Sequence, residues 1–231
     1  MIPREQVLQE LEERGYSFIL EWEPELTTDQ VARKIGYIVD IEPLLPSVGI
    51  PTVQTLQPRE QSAELTNQYS GHLGLGEFPL HTDLAHWYRS PRYLLLRCLQ
   101  GCEEVSTTIL SAKDLESEVG LSTVARAVCI PRRKSKTQTV CPLPVKFVGR
   151  DVSGIRWDPL FLEPLNAPAK DLANWLRPNL FLKQKTEKVQ LVHAGDTLVV
   201  DNWRALHGRS RVPESALVRK LERVYIDREG R

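Results

Sequence analysis

Asp201-Asn202-Trp203-Arg204-Ala205-Leu206-His207-Gly208-Arg209 and the shorter His81-Thr82-Asp83 are the most informative segments of this chain. The two stretches supply two imidazoles and one carboxylate. His81 and Asp83 point to one face if the chain there is extended, because side chains repeat every second residue along a strand. His207 can reach them if the fold returns distant strands to adjacency, as a β-sandwich does. The pattern therefore predicts a β fold in which these three side chains share one site.

Two histidines and one carboxylate form the ligand set that holds a non-haem ferrous ion and leaves other coordination positions open. His81 and Asp83 alone also fit a capped turn in which the histidine is hydrogen-bonded to the carboxylate. His207, in its Asp201-Asn202 context, and the arginines near the C-terminus favour metal binding by His81, Asp83 and His207. We expect Asp201 and Asn202 to organise the turn before the His207 strand.

The last predicted strand, Leu217 to Asp227, carries Arg219 and Arg223 on one face if it is extended. Arginines on an inward face are costly unless they are paired. A planar guanidinium can make two parallel hydrogen bonds to a carboxylate. The strand is therefore a candidate for fixing the far carboxylate of a 2-oxoacid cosubstrate.

Many short strands with turn signals, and helices at the N-terminal side and in one insertion, are typical of a jelly roll. We predict a fold that is mainly β with flanking helices around a double-stranded β-helix (jelly-roll) core. Residues 1–231 are expected to form a single domain. Helices in about 1–40 and a helical insertion in about 160–185 are expected to pack on the jelly roll.

The composition excludes several classes of partner. Thirty Lys and Arg balance 30 Asp and Glu, so net charge favours neither nucleic acid nor a membrane surface. No apolar window approaches the roughly 20 residues of a membrane span, and the start of the chain does not resemble a signal peptide. We expect a cytoplasmic protein with free thiols and a small-molecule substrate that is polar or anionic. The sequence leaves the formation of a homo-oligomer open.

These motifs resemble the TauD/TfdA-like family of Fe(II)- and 2-oxoglutarate-dependent dioxygenases. The resemblance rests on His81-Thr82-Asp83, on residues 201–209 and on Arg219-Lys220-Leu221-Glu222-Arg223, and it runs from about residue 66 to the C-terminus. It implies that His81, Asp83 and His207 bind Fe(II), and that Arg219 binds the C5 carboxylate of 2-oxoglutarate.

The resemblance also implies roles for Thr108 and Arg223. Thr108 matches a threonine that hydrogen-bonds the same carboxylate. The family usually has Gly-Gly or Gly-Asp before that threonine, whereas this chain has Glu103-Glu104-Val105-Ser106, and Thr107 is a possible substitute. Arg223 resembles a second arginine that faces the primary substrate in some members.

Three further residues are candidates for contact with the primary substrate. Asn67 and Ser70 lie in a polar, glycine-punctuated segment before the His81 motif. Arg209 follows His207 by two residues, so it either forms a structural ion pair or contacts the substrate or cosubstrate.

The expected activity is hydroxylation of a C–H bond of a small-molecule metabolite with Fe(II), 2-oxoglutarate and dioxygen, releasing succinate and CO2. The carboxylate of Asp83 argues for hydroxylation or a neighbouring oxidation such as desaturation, because related halogenases have a small residue in its place. Two alternatives stay open. One is a jelly-roll protein that binds metal or ligand without turnover, and the other is a zinc hydrolase using the same three ligands.

Overall fold

The structure, a computed structural model, describes residues 4–41, 50–63, 68–132, 141–148, 153–177 and 180–228. The strands in these ranges are β1 (Tyr16–Ile19), β2 (Tyr37–Ile38), β3 (Gln54–Leu56), β4 (Phe78–His81), β5 (Tyr93–Gln100), β6 (Ser106–Ser111), β7 (Val128–Pro131), β8 (Leu143–Pro144), β9 (Lys146–Val148), β10 (Ser153–Ile155), β11 (Leu162–Pro164), β12 (Glu187–Gln190), β13 (Thr197–Asp201), β14 (Ala205–Arg209) and β15 (Lys220–Asp227). The helices are α1 (Arg4–Arg14), α2 (Thr28–Ile35), α3 (Tyr69–Leu73), α4 (Ala112–Val119), α5 (Leu121–Arg126), α6 (Ala167–Trp175) and α7 (Leu180–Lys185).

The larger sheet, called the major sheet below, runs in the order β1-β13-β5-β15-β2, and β3 also pairs with β15. Its strands are antiparallel. The central strands β5 and β13 are mostly buried on both faces. Their sequences are accordingly continuous apolar runs rather than alternating apolar and polar residues.

The smaller sheet, called the minor sheet, runs in the order β12-β6-β14-β4 and is also antiparallel. One apolar cluster joins the two sheets, with Leu96, Val200 and Tyr225 from the major sheet and Ile109 and Val189 from the minor sheet. The side of each sheet that faces this cluster is called its inner face. Two facing antiparallel sheets form the jelly-roll core that the sequence predicts.

The N-terminal helices cover the outer face of the major sheet. Leu11 of α1 and Val31 and Ile35 of α2 are buried in a cluster with Leu95 and Val199 of the sheet. The outer face of the minor sheet is covered in a similar way by α4 to α6 and two small additional sheets. The expected insertion at about 160–185 contains α6 and α7. That residues 1–231 form a single domain stays a prediction.

The four cysteines are free thiols, as expected. In the part of the chain that the structure describes, no helix has the length and apolar character needed to cross a membrane.

The last strand begins later than predicted. A 3₁₀ turn over Glu214–Ala216 precedes it, and the backbone N–H of Arg219 donates to the Ala216 carbonyl at 3.1 Å. β15 therefore starts at Lys220, and its register with β5 shifts between Lys220 and Leu221. The predicted start of the strand at Leu217 was wrong, and Arg219 precedes β15, so strand alternation does not determine the direction of its side chain.

Candidate metal centre

Adjacent strands of the minor sheet bring the two histidines together. His81 ends β4, and the antiparallel register places it directly opposite His207 of β14. Residues directly opposite each other in such a pair lie on one face of the sheet. On the other side of β14, the antiparallel ladder with β6 places Ile109 opposite His207. Ile109 belongs to the apolar cluster between the two sheets. Both imidazoles therefore lie on the inner face, with ring centroids 4.5 Å apart.

Asp83 completes the group two residues after His81. Its Oδ1 lies 3.3 Å from Nε2 of His81 and 3.5 Å from Nε2 of His207. All three side chains are buried, and one ligand atom from each lies within 4.8 Å of the others. Three ligands bound about 2 Å from one ion at right angles lie about 3 Å apart. The donor atoms thus have the chemistry and the spacing to hold one divalent transition metal ion.

The Asp-Asn pair fixes the backbone around Asp83, as the sequence predicts. Asn202 Oδ1 accepts from the N–H of Asp83 at 2.7 Å, and Asn202 Nδ2 donates to the carbonyls of Asp83 and Pro91, each at 3.0 Å. The next residue, Leu84, has φ of 55°, which is rare for a residue with a side chain. The amide of Asn202 therefore holds a sharp turn of the chain directly after the carboxylate.

The second oxygen of Asp83 faces the major sheet. Oδ2 accepts from Arg223 Nη1 at 2.9 Å and from the Tyr225 hydroxyl at 2.7 Å. Arg223 Nη2 in turn donates to Gln54 Oε1 at 2.6 Å. Sequence reasoning assigned Arg223 to the substrate and gave no role to Tyr225 or Gln54. The alternation of Arg223 and Tyr225 along one strand was the signal that could have found Tyr225.

Burial and neighbouring charges shift the pKa values of Asp83, His81 and His207 in different directions. Burial alone would raise the pKa of Asp83, but Arg223 and both histidines hold that pKa well below its usual range. Burial would lower the pKa of His81, and the hydrogen bond and charge of Asp83 outweigh it, so the pKa is raised. Burial and the neighbouring His81 lower the pKa of His207. A carboxylate and a neutral His207 are the protonation states that metal ligation requires.

Tyr69 of α3 packs on the first histidine. Its ring stacks on His81 with centroids 4.1 Å apart and planes 20° from parallel. The Tyr69 hydroxyl donates to Asp158 Oδ1 at 2.7 Å, and His81 Nδ1 lies 2.9 Å from the Pro79 carbonyl. His81 is therefore fixed on two sides, whereas Nδ1 of His207 has no hydrogen-bond partner among the described residues. The sequence gave no signal for Tyr69 or Asp158.

Two arginines lie at one end of the inner face without an acidic partner among the described residues. Arg219 is only 6% exposed, burial lowers its pKa, and its Nε has no hydrogen-bond partner. Burial and the charge of Arg219 lower the pKa of Arg209 to about 10. Arg209 donates to the carbonyls of Gly74 and Gly76, at 2.9 and 2.6 Å, and forms no ion pair with a described residue. This concentration of buried positive charge suits an anionic ligand.

The alternation of side chains along β6 places Thr107, and not Thr108, on the inner face of the minor sheet. In the β6–β14 ladder Thr107 is opposite Arg209, whereas Thr108 is opposite Gly208. Thr107 therefore shares the inner face with Arg209 and His207, and Thr108 lies on the outer face. Successive residues of a strand point to opposite faces, so the pairing favours Thr107, while contact of either threonine with a cosubstrate stays a prediction.

The two candidates in the polar segment have different outcomes. Asn67 lies outside the described residues. Ser70 lies in α3, one residue after Tyr69, and is partly buried. Its contact with a substrate stays a prediction.

Comparison with known proteins gives a result at the level of structure. No family model matches the sequence, and no curated protein matches it. An asparagine oxygenase solved with Fe(II), 3-hydroxyasparagine and succinate aligns with a TM-score of 0.71 and 15% identity, over 96% of this chain and 78% of the other. The chain has the jelly-roll fold of these oxygenases.

Two further solved structures support the same fold. The non-haem iron oxygenase OrfP, solved with Fe, succinate and (3S)-hydroxy-L-Arg, aligns with a TM-score of 0.66 and 19% identity, over 98% of this chain and 78% of that one. PvcB from Pseudomonas aeruginosa aligns with a TM-score of 0.68 and 18% identity, over 97% of this chain and 80% of that one. The predicted fold class is thus confirmed.

Proposed function

We propose that this protein is an Fe(II)- and 2-oxoglutarate-dependent oxygenase that hydroxylates a C–H bond of a small polar metabolite. The observation that carries the proposal is the convergence of His81 Nε2, His207 Nε2 and Asp83 Oδ1 on one buried point. The fold supports it, since the structural neighbours were solved with Fe, succinate, alpha-ketoglutaric acid and hydroxylated amino acids.

Bound Fe(II) would supply the redox chemistry, in which one O2 converts 2-oxoglutarate to succinate and CO2 and places one oxygen atom in the substrate. The protein's own residues would bind the ion and limit the access of water to it. His81, Asp83 and His207 hold the ion and leave part of its coordination sphere open. Burial of all three side chains limits access of water to the reacting centre.

The buried arginines support the choice of cosubstrate. Arg219 is the group we assign to the far carboxylate of 2-oxoglutarate, with Thr107 on the same inner face as a second donor. A carboxylate bound there would neutralise a buried guanidinium that has no acidic partner among the described residues. A zinc hydrolase that uses the same three ligands leaves these arginines unexplained.

The substrate is proposed as a small metabolite with polar or charged groups, converted in the cytoplasm. Amino acids are the first class to test, because hydroxyasparagine and hydroxyarginine occupy two of the neighbours. Sulfonates, sugar acids and natural-product intermediates form the rest of the panel.

The test uses the full chain, loaded anaerobically with Fe(II) and 2-oxoglutarate. We expect a weak visible absorption band from the ternary complex, followed by succinate release in air. Asp83→Ala should abolish both signals because it removes a ligand. Asp171→Ala is the matched control, since it removes an exposed carboxylate on α6.

The other outcomes would overturn the proposal in different ways. A band without succinate release for any member of the panel indicates a binding protein without turnover. Tight zinc binding with hydrolysis and no oxygen consumption indicates a hydrolase.

A further inference from the structure

The two oxygens of Asp83 have different neighbours. Oδ1 faces the two histidines, at 3.3 and 3.5 Å from their Nε2 atoms. Oδ2 faces away and accepts two hydrogen bonds, from Arg223 at 2.9 Å and from the Tyr225 hydroxyl at 2.7 Å. The histidines come from the minor sheet, while both donors to Oδ2 come from β15 of the major sheet.

The donors to Oδ2 are themselves fixed in place. Arg223 and Tyr225 are two residues apart on β15, so they share its inner face. Arg223 lies opposite Gln54 in the β15–β3 ladder, and its Nη2 donates to the Gln54 side chain at 2.6 Å. Tyr225 is 3% exposed and packs in the cluster between the sheets. Neither side chain can leave Asp83 without breaking other contacts.

A carboxylate can bind a metal ion through one oxygen or through both. In this structure the two donors use the lone pairs of Oδ2, and one of them is positively charged. We propose that Arg223 and Tyr225 are positioning residues that hold Asp83 as a one-oxygen metal ligand. The inference rests on the metal site of the proposed function.

The same contacts change the assignment of Arg223. A guanidinium that binds a substrate carboxylate end-on uses one N–H of each terminal nitrogen. Here Nη1 is used by Asp83 and Nη2 by Gln54. Nε is buried and has no partner among the described residues. Both terminal nitrogens of Arg223 are thus engaged by protein acceptors, and we assign Arg223 to the metal ligand Asp83.

Tyr225→Phe tests the inference most directly, because it removes one hydroxyl and leaves the packing intact. We expect the affinity of the full chain for Co(II) alone to fall about 10- to 100-fold, as for the loss of other partners of metal ligands. The visible absorption spectrum of bound Co(II) should also change, because it depends on the number and geometry of the ligands.

Tyr93→Phe is the matched control. Tyr93 is also a buried tyrosine of the major sheet, and its hydroxyl accepts a hydrogen bond from Arg228 at 2.8 Å. This variant should keep the Co(II) affinity and spectrum of the unmodified protein. Arg223→Lys provides a second test if Tyr225→Phe does not fold. One ammonium keeps the charge but cannot bind Asp83 and Gln54 with the same planar geometry, so an intermediate loss of affinity is expected.

The outcomes separate this inference from the proposed function. If the unmodified protein fails to bind Co(II) through His81, Asp83 and His207, the proposed function fails. If it binds Co(II) and both variants bind equally well with unchanged spectra, the inference is overturned and the metal site stands. A raised substrate KM in Arg223→Lys, with unchanged Co(II) affinity, would return Arg223 to the substrate.

Discussion

Single residues in the site are distinguished by the face of the strand on which they lie. Thr107 and Thr108 are adjacent and chemically identical, yet only Thr107 shares the inner face with Arg209. A residue that donates to the cosubstrate carboxylate must lie on that face. The proposal of Thr107 in place of Thr108 therefore rests on strand pairing and not on the neighbouring residues in sequence.

We expect Thr107→Val to weaken 2-oxoglutarate binding by about two- to tenfold, which corresponds to one lost hydrogen bond of about 0.5–1.5 kcal/mol. Valine keeps the shape of threonine, so the strand should be unaffected. Binding is measured by titrating 2-oxoglutarate into the Fe(II)-loaded protein and following the visible band. Thr108→Val is the control and should bind as the unmodified protein does. The reverse pattern would restore Thr108 as the cosubstrate ligand.

Sequence reasoning found the residues whose chemistry is unusual and missed those whose role depends on packing. His81, Asp83 and His207 come together as expected. Tyr69 and Tyr225 were not found, because a buried tyrosine that packs in the core has the same sequence pattern as one that contacts a metal ligand. Their contacts with His81 and Asp83 depend on how α3 and the major sheet pack against the minor sheet.

At the scale of elements, the pairing of β4 with β14 determines the site. Both neighbouring strands approach Gly208 closely: a Cβ there would lie 2.6 Å from the Phe78 carbonyl oxygen of β4 and 2.8 Å from Thr108 Oγ1 of β6. The ladder between His207 and Arg209 also contains a register shift. The glycine after His207 is therefore required by close backbone approach, and it allows His81 to lie beside His207.

Gly208→Ala should separate β4 from β14 and displace His81 from His207. We expect the free energy of unfolding to fall by about 1–3 kcal/mol, as for other insertions into a packed interior. The Co(II) affinity of the folded variant should fall as well. Denaturant titration and Co(II) titration measure the two effects.

The control for this variant is Gly120→Ala, at the junction of α4 and α5. Gly120 has φ of 91°, and a Cβ there would make an ordinary contact with Thr123 Oγ1 at 3.9 Å, so alanine there is strained without a clash. We expect a loss of stability and an unchanged Co(II) affinity. An unchanged affinity in Gly208→Ala as well would show that the β4–β14 distance does not control the metal site.

The start of the last strand shows which part of an element the sequence could not predict. The apolar and charged residues of β15 were assigned correctly, but its start was placed three residues too early at Leu217. The 3₁₀ turn before it is stabilised by local backbone hydrogen bonds that involve Ala216 and Arg219. Such a turn leaves no periodic pattern, so the position of Arg219 could not be derived from the strand period.

At the scale of the whole molecule, the site exists because two sheets face each other. The minor sheet supplies His81 and His207, and the major sheet supplies Arg223 and Tyr225, with Asp83 between them. The layers outside the two sheets contribute no residue to the ligand group. Their contribution is burial of the outer faces of the two sheets.

Ile35→Ala tests whether the outer helices affect only the stability of the protein and not the geometry of the metal site. Ile35 of α2 is fully buried in the cluster on the outer face of the major sheet. Truncation of such a side chain costs about 2–5 kcal/mol, because it removes apolar contacts and leaves a cavity. We expect urea titration to show a destabilised protein, while the folded fraction binds Co(II) with unchanged affinity. Leu20→Ala, at a side chain that is 67% exposed, should change stability by no more than about 0.5 kcal/mol. A weakened metal site in folded Ile35→Ala would contradict this expectation and would mean that the packing of α2 on the outer face of the major sheet also positions residues on its inner face.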